Sequence, residues 1–564
     1  MKYSYVYDHY YKYQEITDIL NEYAQKHSDI ARLGSIGVTE QGRNIWLMEV
    51  TDLSTGDFSE KPALYIEGNI HAGEVTGAMT VMYLLDVIFS NLDNDEIKEM
   101  LKNYTIYALP RLSPDGSEFY LTTEHSVRSV PKMYPYDKLM PGVHRQDIDG
   151  DGVARLMRVK SKYGVWKISD KDPRAMTKRL PDDIKGDFYN VYDEGVLEEF
   201  DGIIGNLADA PAPYGNDFNR NYPIGWETED KQRGSGKYPL AHNETKANAE
   251  FILNHPNICF VIDMHTAGGQ NLYMPGFKSA KQTIKEDIAL YKAIGKMAHE
   301  ENGYPVLNVY DEYLPQGAPS AFGGFDDFVH FVLGIPAIAI ECWDLDVRAG
   351  INVQYPPRIE VPDEEQEENA LKYLKWTDEN LSKEEGFMEW TKFDHPQLGE
   401  VEIGGFDLKY TRQNPPPAKF LLQEVQKHTR FALRAVKTFP RVGFDTIETE
   451  QLADDIFRIE AIIGNEGYMP TYVFKEGLKS KNLKELTVEL DGNIRIVQGK
   501  PEEKIGHLQG ISGIKANNGL TLNSRPMGDL CKKVTWIVKA QKGTEVTLKC
   551  QGGRIGKVET KIIL

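Results

Sequence analysis

His71 and Glu74 stand three residues apart in the stretch PALYIEGNIHAGEVTGAMTVMYLL, residues 62–85. An imidazole and a carboxylate at that spacing either cap and hydrogen-bond a turn or share a metal ion. Two more residues able to do such chemistry lie far along the chain: His265, in AspMetHisThrAlaGlyGly, and Glu341, at the end of ProAlaIleAlaIleGlu. Two histidines and one carboxylate make the protein ligand set of a catalytic zinc, one ion per chain, with a fourth position for water. Zinc lowers the pKa of such a water to about 7. A separate carboxylate held off the metal then serves as general base, and Glu341 fits that role.

The elements that must position these four residues are legible as strands. AlaLeuTyrIleGlu (63–67) precedes His71, IleCysPheValIleAspMet (258–264) precedes His265, and ProAlaIleAlaIleGlu (336–341) ends on Glu341. Ligands of an open parallel sheet collect beyond the carboxyl ends of its strands. Strand patterns at 44–50 and 104–109 alternate with helical spacing at 13–23, 73–90, 243–254, 279–302 and 365–383. Such alternation predicts an α/β fold with a mixed, mostly parallel central sheet flanked by helices over residues 1–385. Residues 126–215 are Pro-, Gly- and Asp-rich with weak periodicity and read as an insertion. Residues 386–437 read as a connecting segment with a helix near 418–437. Short alternating runs over 438–564 predict an antiparallel β-sandwich accessory domain.

An ordered set of motifs resembles the zinc metallocarboxypeptidases of the carboxypeptidase A/B type. It comprises HisAlaGlyGlu (71–74), SerProAspGly (113–116), AspPheAsnArgAsn (217–221), His265 and Glu341, within roughly residues 10–385. The resemblance implies that His71, Glu74 and His265 hold zinc and that Glu341 is the general base and proton shuttle. It implies that Asn219 and Arg220 grip the terminal carboxylate of a peptide, a task suited to a planar guanidinium. It assigns oxyanion stabilisation to Arg128, with Arg145 and Arg155 as neighbouring candidates. Asp326 falls near the family's specificity position, where an acidic residue favours a C-terminal Lys or Arg. Alignment on Gly323-Gly324 puts Pro319 or Ser320 where the family has a capping tyrosine, with Tyr310 and Tyr313 nearby. SerProAspGly stands in place of Asn-Pro-Asp-Gly. A deacylase or amidase acting on N-acyl amino acids or cell-wall peptides is the alternative reading, since those substrates also carry a free carboxylate. An inactive C-terminus-binding protein is the third; all four metal and base residues are retained against it.

AspIleAspGlyAspGly (147–152) has the alternating carboxylates of a calcium loop, so Asp147, Asp149 and Asp151 are candidate Ca2+ ligands. The twelfth position is Arg158 rather than a bidentate glutamate. A net charge of −20 without a basic cluster argues against a nucleic-acid partner. No run of 18 apolar residues predicts a membrane span. Four cysteines without a CxxC pair predict buried free thiols and a reducing compartment. The N-terminus lacks a signal-peptide pattern, so a cytoplasmic location is expected. The stretch before the first strand is short for an inhibitory prodomain, so an enzyme made active is expected. The oligomeric state is not legible.

Overall fold

The computed structural model describes residues 1–514 and 528–564. At its centre an eight-stranded mixed sheet runs in the order Ala31–Val38, Asn44–Val50, Thr105–Leu109, Ala63–Gly68, Ile258–Thr266, Ala337–Cys342, Gln270–Tyr273, Val306–Asn308. Four adjoining strands, from Thr105–Leu109 to Ala337–Cys342, are mutually parallel. Ala31–Val38, Asn44–Val50 and Gln270–Tyr273 pair antiparallel with their inner neighbours. The strands Ala63–Gly68 and Ile258–Thr266 are buried at every position, which is why they read as continuous apolar runs rather than alternating ones.

Helix Val75–Phe89 is also buried at every position and lies across these two strands. Two glycines permit that approach. A Cβ on Gly68 would stand 2.5 Å from the Gly77 carbonyl carbon, and one on Gly77 would stand 2.6 Å from the Met264 carbonyl oxygen. Helix Leu422–Ala435 packs on Val75–Phe89 and on Lys285–Asn302, so the segment after residue 386 contributes to the main core.

The insertion builds strands of its own. Leu156–Lys160, Tyr189–Asp193, Trp166–Ile168 and Met176–Lys178 join a six-stranded sheet with the hairpin Met388–His395 and Gly399–Gly405. Met157, Tyr192, Val401 and Ile403 share a small core there. These strands of three to eight residues are too short to show a period in the sequence.

Residues beyond 441 form two four-stranded antiparallel sheets. Alternate residues of Glu545–Gln551 and Cys531–Lys539 are buried against a shared core around Trp536. The buried Arg554 docks this unit: its guanidinium donates to the carbonyls of Pro256, Ile258 and Leu333. Cys259, Cys342 and Cys550 are buried free thiols, whereas Cys531 is exposed, at the start of its strand. No helix among the described residues is long and apolar enough to cross a membrane.

Candidate active site

The chain leaves strand Ala63–Gly68 through Asn69, which adopts a left-handed φ of 60°, a conformation asparagine tolerates. The Asn69 amide donates to the His71 carbonyl at 3.1 Å. Helix Val75–Phe89 then starts with Glu74 at its N-cap. His71 Nδ1 lies 2.8 Å from Glu74 Oε1, and His265 Nδ1 lies 2.8 Å from Glu74 Oε2. The two Nδ1 atoms are 3.2 Å apart. All three side chains are buried, and their ligand atoms lie within 4.8 Å of one another.

The far nitrogens of both rings meet carboxylates. His71 Nε2 is 3.1 Å from Asp217 Oδ1, and His265 Nε2 is 2.9 Å from Asp263 Oδ2. A carboxylate behind an imidazole fixes its tautomer, turns the lone pair of Nδ1 inward and raises its basicity. The donors present therefore fit a zinc ion, with the Nδ1 atoms and the Glu74 carboxylate as its ligands. Burial opposes charge on Glu74, but His71 and His265 outweigh it and hold the carboxyl well below its usual range. Burial likewise opposes charge on Asp217, and Arg128 and His71 reverse the effect. Burial works against a charged His265, yet Asp263 and Glu74 raise its pKa well above the ordinary value.

Glu341 pairs in register with His265 on the adjacent parallel strand, which sets it beside the cluster without joining it. Burial, reinforced by Glu74 and opposed by His265, pushes its carboxyl up to about 7. Just beyond it, Trp343 takes a left-handed φ of 67°. Its backbone N–H donates to Glu424 Oε1 and to the Tyr304 hydroxyl, each at 3.0 Å, and its indole donates to the Thr411 carbonyl. Residues after 386 thus hold the strand end that carries Glu341.

His71, His265 and Glu341 border a cavity of about 120 Å³ together with Arg128, Asn219, Arg220 and Tyr313. Arg128 Nε donates to Asp217 at 2.8 Å, and its side chain keeps 40% exposure toward the cavity it lines. Arg145 and Arg155 pair instead with Asp193 and Asp151 inside the insertion. Asn219 accepts from the Phe325 N–H at 2.8 Å, and Arg220 donates to the Asn219 carbonyl at 2.6 Å. Tyr313 reaches the cavity from the wide turn Val309–Tyr313, whereas Tyr310 is 40% exposed and does not line it. The negative charge of Glu341, followed by burial, raises the Tyr313 hydroxyl pKa.

Two further expectations concern acidic residues. Asp326 adjoins the cavity but is only 2% exposed, and its carboxyl clusters with Asp263 and His265. Burial first, then the charge of Asp263, raise its pKa well above the carboxylate range. The calcium expectation at Asp147, Asp149 and Asp151 lacks support. Asp147 accepts from the N–H groups of Gly150 and Gly152, and Asp151 pairs with Arg155. The third carboxylate near Asp147 and Asp149 is Glu194, which already accepts from the Ile148 and Arg155 N–H groups.

Sequence reasoning missed Asp217 and Asp263 as partners of the histidines. Asp217 opens the motif AspPheAsnArgAsn, and Asp263 stands two residues before His265, on the same face of one strand. That period-two placement was the available signal.

Comparison with known proteins gives the family. The zinc carboxypeptidase family model matches residues 16–370, and the chain belongs to that family of zinc hydrolases. A model described as a domain of unknown function matches residues 441–563. A zinc carboxypeptidase from Saccharothrix mutabilis subsp. capreolus is 31% identical over 121 residues, 21% of this chain and 27% of the relative. Carboxypeptidase B from Astacus astacus is 30% identical over 121 residues, covering 22% of this chain and 38% of the relative. The chain thus spans well under half the length of these relatives. The crystal structure of carboxypeptidase A from Helicoverpa armigera aligns at 16% identity and a TM-score of 0.39, covering 66% of this chain and 73% of that one.

Proposed function

We propose that the protein is a zinc-dependent carboxypeptidase that removes C-terminal residues from peptides. The observation that carries this reading is the convergence of His71 Nδ1, His265 Nδ1 and both oxygens of Glu74 beside Glu341, on the wall of a cavity lined by Arg128, Asn219 and Arg220. Zinc held there supplies a Lewis acid that brings the pKa of water to about 7 and polarises the scissile carbonyl.

This chain's residues do the rest. Arg220, with Asn219, takes the free carboxylate of the substrate, which limits cleavage to the last peptide bond. Glu341 removes a proton from the attacking water and returns it to the leaving amine. Arg128, which donates to Asp217 and reaches Glu74 Oε1 at 3.4 Å, lines the cavity and stabilises the developing oxyanion. Asp217 and Asp263 hold His71 and His265 with Nδ1 facing inward. Tyr313 stands where it can close over a bound peptide end. The buried free thiols support a reducing, cytoplasmic setting.

The test is zinc content by mass spectrometry beside hydrolysis of a blocked dipeptide, for the wild type and Glu341→Gln. One zinc per chain in both, with turnover only in the wild type, is expected. Zinc without turnover on any peptide moves the reading to a deacylase, and absence of zinc overturns it.

A further inference from the structure

Glu74 occupies the N-cap of helix Val75–Phe89, where a side chain ordinarily accepts an N–H of the first turn. Its carboxylate makes no such bond, because its two oxygens face His71 and His265. The N–H groups of a helix start still require acceptors, the more so in a helix buried along its whole length. Asn414 provides one from 338 residues away. Its Oδ1 accepts from the Thr76 N–H at 3.2 Å and from the Thr76 hydroxyl at 2.9 Å. Its Nδ2 donates to the Gly73 carbonyl at 2.8 Å. One fully buried side chain therefore brackets Glu74 on both sides. Asn414 is itself held, since its amide also reaches the Lys409 carbonyl and the next residue's carbonyl accepts from the Tyr10 hydroxyl at 2.6 Å.

We propose that Asn414 is a positioning residue: it caps the helix in place of Glu74 and so leaves the Glu74 carboxylate free, and correctly aimed, for the metal. Asn414 lies beyond the residues matched by the family model, so a segment outside that region completes the metal centre. The proposal rests on the zinc reading above. Glu424, which accepts from the Trp343 N–H behind Glu341, belongs to the same segment.

The experiment uses full-length protein: wild type, Asn414→Ala, Asn414→Asp and Asn257→Ala. Asn257 is a buried amide that donates to the carbonyls of Phe58 and Lys61, away from the ligands, and serves as the structural control. Each protein is loaded with zinc, and release into excess chromogenic chelator is timed well below its Tm. Asn414→Ala is expected to release zinc faster by about 10- to 100-fold, the usual cost of losing an outer partner of a ligand. Asn414→Asp keeps the acceptor for Thr76 but sets a carboxylate oxygen against the Gly73 carbonyl, so its release is expected between those of wild type and Asn414→Ala. Asn257→Ala lowers Tm but keeps wild-type release. Wild-type release from Asn414→Ala overturns the proposal, as does equal acceleration in Asn257→Ala, which would mark general loosening. Should Asn414→Ala fail to fold, Asn414→Ser, too short to span Gly73 and Thr76, takes its place with the same expectation and the same overturning result. A wild type that binds no zinc overturns the underlying metal reading, recognisable because all the proteins fail together.

Discussion

His71 Nδ1 and His265 Nδ1 stand 3.2 Å apart although 194 residues separate them in the chain. Two ring nitrogens that close, each backed by a carboxylate at its other nitrogen, need a proton or a cation between them. Without metal, Asp263 and Glu74 favour a protonated His265. Zinc needs both rings neutral, so its binding must expel a proton. Calorimetric zinc titrations in buffers of different ionisation enthalpy are expected to report proton release. Because protons and zinc compete for one site, zinc affinity should weaken as pH falls. An affinity independent of pH would contradict this.

Asp263 should matter for the metal and, through His265, for the metal-free protein. Its buried carboxylate adjoins Glu67 and Asp326, whose pKa values are raised by burial and then by Asp263 itself. Asp263→Asn loosens the hold on His265 by removing its charged partner. Zinc affinity should drop by about 10- to 100-fold. Differential scanning calorimetry of the metal-free protein should show a lower Tm, because a protonated His265 loses its carboxylate partner.

Arg128 is expected to act on rate rather than on metal binding. Arg128→Ala should lower kcat by about 100- to 1000-fold, the typical effect of removing an oxyanion donor. Zinc content should stay at one per chain. Steady-state kinetics beside elemental analysis separates that outcome from a collapse of the site.

Side-chain preference follows from the cavity wall. Leu272, Met274, Val309 and Leu314 line it, and Asp326 and Asp327 are buried there, with Asp327 pushed up to about 7 by burial. Hippuryl-Phe should be cleaved in preference to hippuryl-Arg, and Asp326→Asn should leave that order unchanged. A preference for Arg that Asp326→Asn abolishes would reinstate the charged specificity.

Arg554 should hold the C-terminal unit in place. Burial lowers its pKa to about 10, and its guanidinium donates to the backbone carbonyls of Pro256, Ile258 and Leu333 in the central unit. Arg554→Ala is expected to cost about 1.5–3 kcal/mol, the worth of hydrogen bonds to a charged group. Urea unfolding followed by tryptophan fluorescence measures it.

The strands that carry the site were legible because both faces are buried, which writes them as apolar runs ending in His, Glu or a turn. The candidate zinc ligands and Glu341 were legible for the same reason: few structural roles call for such residues at the ends of three buried strands. Tyr313 was not, because the wide turn Val309–Tyr313 has no repeating pattern from which a register could be counted. The burial of Asp326 was not either, since a four-residue helix of mixed composition does not announce which side faces the core.

Sequence alone singled out the candidate reacting groups and the strands that present them, since local pattern and side-chain chemistry suffice for both. Tertiary structure decided what holds those groups in place. Asp217, Asp263 and Asn414 reach their partners across 146, 2 and 338 residues respectively. Only the 2-residue step leaves a local trace. The other two are fixed by how the chain packs, because a hydrogen bond depends on distance in space and not on separation along the sequence.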